Sequence, residues 1–294
     1  MNRFAIYTAC IGGYDDILQP EVVDDRFDFF LFTNDVREER IGVWHVRKVD
    51  YSNPDLTRIA RHVKTHPEDL LPEYEATLWM DSSLQITSPK VYTRFIELFD
   101  QNVVDVASVI HPKRDCIYDE AFEVATRKNP GALEHDYIAL KWCRKIWKEQ
   151  YPQHNGLFET SILYRRKTYF SKQVDELWWE CINRYSKRDQ LSFNYSLWRV
   201  SPEIELFLPL GEHMMNSKNV NYLGHAKVSN RKVLKLGMPE KLRYKYRVRN
   251  RVQGMKQWYS LMKSPFPLFR LYTYGTAVAL FSMISFKLKK KLHK

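Results

Sequence analysis

The stretch ATLWMDSSLQI, residues 76–86, governs how the rest of the chain is read. An apolar run of strand formers from Ala76 to Met80 delivers one carboxylate, Asp81, followed by Ser82 and Ser83. In open α/β sheets ligands collect beyond the carboxyl ends of the strands, so an acid placed there can meet a metal ion or a sugar-nucleotide hydroxyl. The plainer alternative is a solvated turn after a core strand. Upstream, Arg3 to Ala9 and Phe27 to Thr33 are short aromatic and aliphatic runs that end in the turn-forming CIGGYDD and TND, and both read as buried strands. NPDLTRIARHVKTHPEDLLP, residues 53–72, carries Asn53 or Asp55 as a cap, a helical pattern through Val63 and a stop near Pro67.

Downstream, Pro89 opens a helix and residues 103–110 make another strand. Strands alternating with helices predict an α/β fold with a mainly parallel sheet. Residues 118–127 and 131–150 read as helices, 159–164 as a strand, and 168–198 as two tryptophan-rich helices broken around SKRDQ.

With 294 residues and 44% hydrophobic content, the chain can bury a sizeable core. Its cysteines, Cys10, Cys116, Cys143 and Cys181, are scattered without zinc spacing, which fits a reducing cytosol. The first residues show no signal-peptide apolar run, so the catalytic part is expected to stay cytoplasmic. The net charge of +11 is unevenly spread. From Lys218 onward lie 19 of the 46 Lys and Arg residues but one of the 35 acids, leaving +18 there and −7 before it. That asymmetry points to a tail meeting an anionic surface. Leu271 to Phe286 is uncharged yet shorter than the ~20 residues that span a bilayer. The expectation is a domain over 1–236 and a basic amphipathic helical extension over 237–294 on the inner face of the cell membrane. A helix packed on the core or on a second subunit is the competing arrangement. Specific nucleic-acid binding is not expected, because no recognition module accompanies the charge.

Several polar constellations sit near predicted strand and helix ends. Arg58, Arg61 and Lys64 recur at i, i+3, i+6, close enough to one helix face to converge on phosphate. His111, Arg114 and Glu120 follow the strand at 103–110, and Glu159 sits in NGLFETSILYRR. Arg188, Asp189, Gln190 and Asn194 open a helix, where Asp189 is either a cap or a reacting group. Together they describe a polar pocket.

The ordered set YTACIGGYDD, RxxRxxK before LLP, LWMDSSL, HPKRDCIYDEA, GLFETSILYRR, WW and RDQLSFNY resembles a glycosyltransferase-like family. That family includes plant seed-mucilage and turgor-regulation proteins and bacterial capsule or surface-polysaccharide enzymes. The resemblance covers about residues 3–228 and implies a GT-A-like, Rossmann-type α/β sandwich. More distantly the chain is similar to glycogenin and the lipopolysaccharide galactosyltransferases.

By that resemblance Asp81 takes the place of a DxD motif whose second acid is here Ser83. The implied cation, Mn or Mg, would draw on Asp81, Ser83 and His225. Asp189 and Gln190 would lie beside the reacting sugar with Asn194 at the matching asparagine, and Lys227 near a phosphate. Tyr7, Thr8 and Ala9 are expected to hold base and ribose and Arg61, Lys64 and Asp81 the diphosphate, with Arg58 and Ser82 among the substrate-binding residues. The implied reaction moves a sugar from a nucleotide-diphosphate sugar to a glycan or lipid-linked glycan acceptor. The distant likeness favours retention, while an inverting route needs a base such as Asp189 or Glu159. A lipid-amide hydrolase would need an activated nucleophile, yet the sequence has no GxSxG elbow and no metal-binding histidine pair. A noncatalytic adaptor would use the tail alone.

Overall fold

All six residues of β1 (Phe4–Ala9) are buried, because the strand is covered on both faces. Phe4 and Ile6 belong to one apolar cluster, and Ala5, Tyr7 and Ala9 to another, the period-2 alternation of a central strand. The structure, a computed structural model, describes residues 3–126 and 133–224. They divide into two compact units, the first built from 3–115 and 156–224, the second from 116–126 and 133–155.

The elements of the first unit begin with β1, β2 (Phe27–Phe32), β3 (Arg40–Ile41), β4 (Trp44–Arg47), α1 (Leu56–Thr65), α2 (Pro67–Leu70), β5 (Ala76–Met80), β6 (Leu84–Ile86), α3 (Lys90–Asp100) and β7 (Val106–Ile110). In the second unit come α4 (Ile117–Thr126) and α5 (Leu133–Lys148). The chain then returns to the first unit with β8 (Phe158–Arg166), α6 (Tyr169–Arg184), α7 (Phe193–Val200), β9 (Ile204–Leu206) and β10 (Val220–Tyr222). Eight strands form one sheet in the order β3-β4-β2-β1-β5-β8-β7-β9, and β10 pairs with β6. β4, β2, β1 and β5 are mutually parallel, as are β7 and β9. β8 runs against both its neighbours, β5 and β7. The expected α/β class and mainly parallel sheet are what the structure shows.

One face of the sheet packs on α3 through Val91, Tyr92, Phe95, Leu98 and Phe99. The other packs on α1, α6 and α7 through Ile59, Val63, Val174, Trp178, Ile182, Phe193 and Leu197. A break in β8 shapes the rim. Ser108 pairs with Leu163, but the next residue, Val109, pairs with Glu159, so Thr160 to Ile162 leave the β7 ladder. The Ser108 hydroxyl bridges the gap, donating to the carbonyls of Glu159 at 3.1 Å and Ile162 at 3.0 Å. On the β5 side the pairing persists, with Met80 opposite Ile162 and the Asp81 N–H donating to the Ser161 carbonyl at 2.9 Å. Such a bulge re-aims side chains at a sheet rim.

In the second unit α4 packs on α5 around buried Tyr118, Ala121, Val124, Ala139, Trp142 and Ile146. The Tyr118 hydroxyl donates to the Tyr151 carbonyl at 3.0 Å. All four cysteines are buried and none is joined in a disulfide. The expected boundary at 236 and the basic extension over 237–294 lie outside the described residues. Among the described residues no helix is long and apolar enough to cross a membrane.

Candidate active site

Lys64, in the last turn of α1, organises the rim. Asp55 caps the helix by accepting the Thr57 N–H, and Ile59 and Val63 anchor it to the sheet. The next residue, Lys64, is thereby driven into the interior at 0% exposure. A buried ammonium without partners would cost several kcal/mol. Here Nζ lies 2.9 Å from Asp189 Oδ2, 3.1 Å from Thr160 Oγ1 and 3.3 Å from Asp81 Oδ1. Thr160 also donates to Asp189 Oδ2 at 2.8 Å, and Trp79 Nε1 donates to Asp81 Oδ1 at 2.8 Å. The bulge in β8 delivers Thr160, the end of β5 delivers Asp81, and the 3-10 turn Asp189–Leu191 after α6 delivers Asp189.

Burial works to raise the Asp189 carboxyl, but Arg61, Lys64 and Arg188 outweigh it and hold it far below the usual carboxylate range. Burial lowers the proton affinity of Lys64, with Asp189 and Asp81 resisting. Arg61 Nε stands 3.2 Å from Asp189 Oδ2, an ion pair without hydrogen-bond alignment, and the Arg61 side chain keeps 20% of its surface exposed.

Beneath this cluster a second one fixes the backbone. The Lys64 carbonyl accepts from the Tyr7 hydroxyl at 3.0 Å and from Arg165 at 2.8 Å, and Arg165 also donates to the Tyr7 oxygen at 2.9 Å and to Asp175 at 2.9 Å. Tyr7 is therefore a support for α1 and not a contact for base or ribose, since the strand pleat turns its side chain into the helical layer. Its neighbour Thr8 turns the other way, towards a cavity of about 20 Å³ that reaches Asp81 and Ser82. The Thr8 hydroxyl is buried there without a protein partner. Ala9 is buried and supplies only a methyl group.

The basic triplet does not converge on one point. Successive steps of three residues rotate the side chains by roughly 60° each, so the arc from Arg58 to Lys64 covers about 120°. Arg58 instead binds the carbonyls of Ile182 and, at 3.1 Å, Tyr185 at the end of α6. Lys64 is sealed from a phosphate, which leaves Arg61 as the triplet's cation that both faces the cluster and reaches the surface.

Asn194 also departs from expectation. Its amide is spent on backbone, accepting the Phe158 N–H at 2.9 Å and donating to the Gly156 carbonyl at 3.2 Å, so it pins the start of β8. Gln190 stays beside Asp189, and its Oε1 is buried without a partner. Glu159 is buried, and its Oε1 accepts from the Met214 N–H at 2.9 Å and the Ser161 hydroxyl at 3.4 Å. Burial raises its carboxyl, with those two bonds opposing. His111 Nδ1 accepts the N–H groups of Lys113 and Arg114 at 3.2 and 3.0 Å, and Arg114 lies 3.3 Å from its Nε2, which makes this pair a turn after β7. Glu120 is buried in α4 and belongs to the second unit. Arg188 precedes the turn and adds positive potential at Asp189. His225 and Lys227 lie outside the described residues.

Thr160 and Asp15 are rim residues that sequence reasoning passed over. Asp15, from the CIGGYDD turn, accepts the Ser82 hydroxyl at 2.5 Å. Its signal was present in that turn's paired acids, whereas Thr160 depends on a bulge that no local pattern announces. A divalent cation at Asp81 would find an incomplete set among the described residues. One Asp81 oxygen already accepts from Trp79 and Lys64, and Ser83 is buried and brings no carboxylate. A hard cation takes several oxygen ligands, and Asp81 and Ser83 supply only part of such a set, His225 lying outside the described residues.

A solved structure titled as the crystal structure of a glycosyltransferase involved in the glycosylation of the major capsid of PBCV-1 is similar over 55% of this chain and 67% of its own. Its identity is 14% and its TM-score 0.32. No curated protein matches the chain. The family model described as TOD1/MUCI70, glycosyltransferase-like domain, matches residues 3–225, the span that builds the eight-stranded sheet and the rim where Lys64, Asp81 and Asp189 meet, and the chain belongs to that family.

Proposed function

We propose that this chain transfers a sugar from a nucleotide-diphosphate donor to a glycan acceptor, with the donor lying across the rim formed by β1, β5 and the start of β8. The observation that carries the reading is the buried Lys64 bridge to Asp81, Thr160 and Asp189. It fixes two carboxylates at a strand-end rim, the position where α/β sheets take nucleotides.

As the bond from the anomeric carbon to the diphosphate breaks, negative charge grows on the leaving group and the sugar becomes cationic. Arg61 offsets the first change, and Asp189 faces the second with its charge already fixed. The buried Oε1 of Gln190 accepts a sugar hydroxyl. Asp81 takes a ribose or sugar hydroxyl, held in place by Trp79 and Lys64. Retention of configuration is the proposed outcome, in line with the distant galactosyltransferase likeness. In an inverting displacement Glu159 would instead take the acceptor proton, and NMR of the anomeric product separates the two routes.

The proposal extends to a capsular or cell-surface polysaccharide acceptor on a lipid carrier at the cytoplasmic membrane face, reached through the basic residues beyond 237. A thermal-shift screen of UDP, GDP, CDP and dTDP sugars, with and without manganese, tests the donor. A true donor raises the melting temperature by mass action, and Asp81→Asn abolishes the rise. Failure of every nucleotide sugar to shift the parent chain rejects the reading. Sedimentation with anionic vesicles, before and after removal of residues 264–294, tests the membrane contact.

A further inference from the structure

The second unit holds a cluster that the transferase reading does not use. Cys116 lies at the N-terminal end of α4, Asp119 in its first turn, and His154 in the loop beyond α5. One ligand atom from each, the Cys116 sulfur, a carboxylate oxygen and an imidazole nitrogen, all lie within 4.8 Å of one another. Tetrahedral zinc with bonds of about 2.0–2.3 Å sets its ligand atoms roughly 3.3–3.8 Å apart, so a small inward shift completes such a set. Cys116 is 2% exposed, Asp119 is half-buried and His154 is exposed, which leaves one side open to solvent for a fourth ligand.

A second observation concerns the sulfur itself. The backbone N–H groups of Tyr118, Asp119 and His154 converge on it. Sulfur, imidazole and a single carboxylate suit zinc or cobalt and not magnesium or calcium, which require oxygen ligands.

We propose that Cys116, Asp119 and His154 form a zinc-class cation site, three protein ligands with water or another small ligand in the fourth place. Binding releases the Cys116 proton to solvent, so affinity weakens as pH falls. The site is independent of the donor rim and stands or falls apart from the transferase reading.

The test is titration of the full-length, chelator-treated chain with cobalt chloride, followed by competition with zinc chloride. The expected result is one equivalent of cobalt with a thiolate-to-cobalt charge-transfer band in the near ultraviolet and the visible bands of four-coordinate cobalt, both displaced by zinc. C116S should abolish the charge-transfer band. D119N and H154N should each weaken cobalt binding at least tenfold with metal-free circular dichroism unchanged. Asparagine at 154 tolerates the backbone φ of 53°, so H154N stays informative even where C116S fails to fold. D81N should leave the band intact. Cobalt binding without a thiolate band, parental affinity in H154N, or loss of the band in D81N would each overturn the assignment.

Discussion

Two aspartates of the same helical layer, Asp175 and Asp189, are buried beside cations yet are held in opposite states. Asp175 faces the single guanidinium of Arg165, with Glu68 and Glu176 nearby, and burial raises its carboxyl to about 7. Asp189 faces Arg61, Lys64 and Arg188, and the three together overcome burial and keep it ionised. The number of cations around each carboxylate, more than its depth, decides the difference. The interior pair serves the fold by holding Arg165 against the Lys64 carbonyl. The rim cluster keeps Asp189 ionised beside Lys64, next to the end of β5.

Removing the shared cation breaks the comparison most severely. Lys64→Met strands Asp81 and Asp189 together, and it should cost about 3–5 kcal/mol in urea unfolding along with all donor-dependent turnover. Next comes Asp81→Asn, which should lower turnover by roughly 10²–10³-fold while shifting the melting temperature little, because its side chain is one-third exposed. Equal losses of stability in these two variants would erase the distinction between the buried cation and the part-exposed acid it holds.

The pH profile sharpens the contrast further. Because native Asp175 keeps its proton up to about 7 while the unfolded chain releases it near 4, stability from this group declines as pH rises between those values. Asp175→Asn should remove that decline, whose slope is at most about 1.4 kcal/mol per pH unit. Asp189 has the opposite sign: its contribution is present above about pH 4 and is lost in acid as the unfolded chain takes up the proton first. Asp189→Asn should accordingly flatten the acid limb. The smallest effect belongs to Tyr7→Phe, which removes one donor from the Lys64 carbonyl. It should cost about 1–2 kcal/mol and leave donor affinity unchanged. A selective loss of donor binding would return Tyr7 to the nucleotide site.

Much of the sheet was legible from local pattern. Buried runs at 4–9, 27–32, 76–80 and 106–110 announce their strands because both faces are covered. Asp55 and Pro67 mark the limits of α1 and α2, and the break at SKRDQ separates α6 from α7. The short strands β3, β4, β6, β9 and β10 have no signature of their own in the sequence, since two to four residues carry too little periodicity. Asp81 stands out as the acid ending an apolar run, and Asp189 through the Arg-Asp-Gln triplet that opens a helix. The roles of Tyr7, Arg58 and Asn194 do not, because each is set by a partner distant in sequence: Lys64, the end of α6 and the start of β8. Thr160 needed the bulge, which is a property of pairing with β7 and β5 together.

The partners of Lys64 come from 17, 96 and 125 residues along the chain. During synthesis Lys64 therefore lacks Asp189 as a partner until residue 189 has left the ribosome. A ligand that binds only this closed rim would stabilise the folded chain by mass action and raise the folded fraction of destabilised variants.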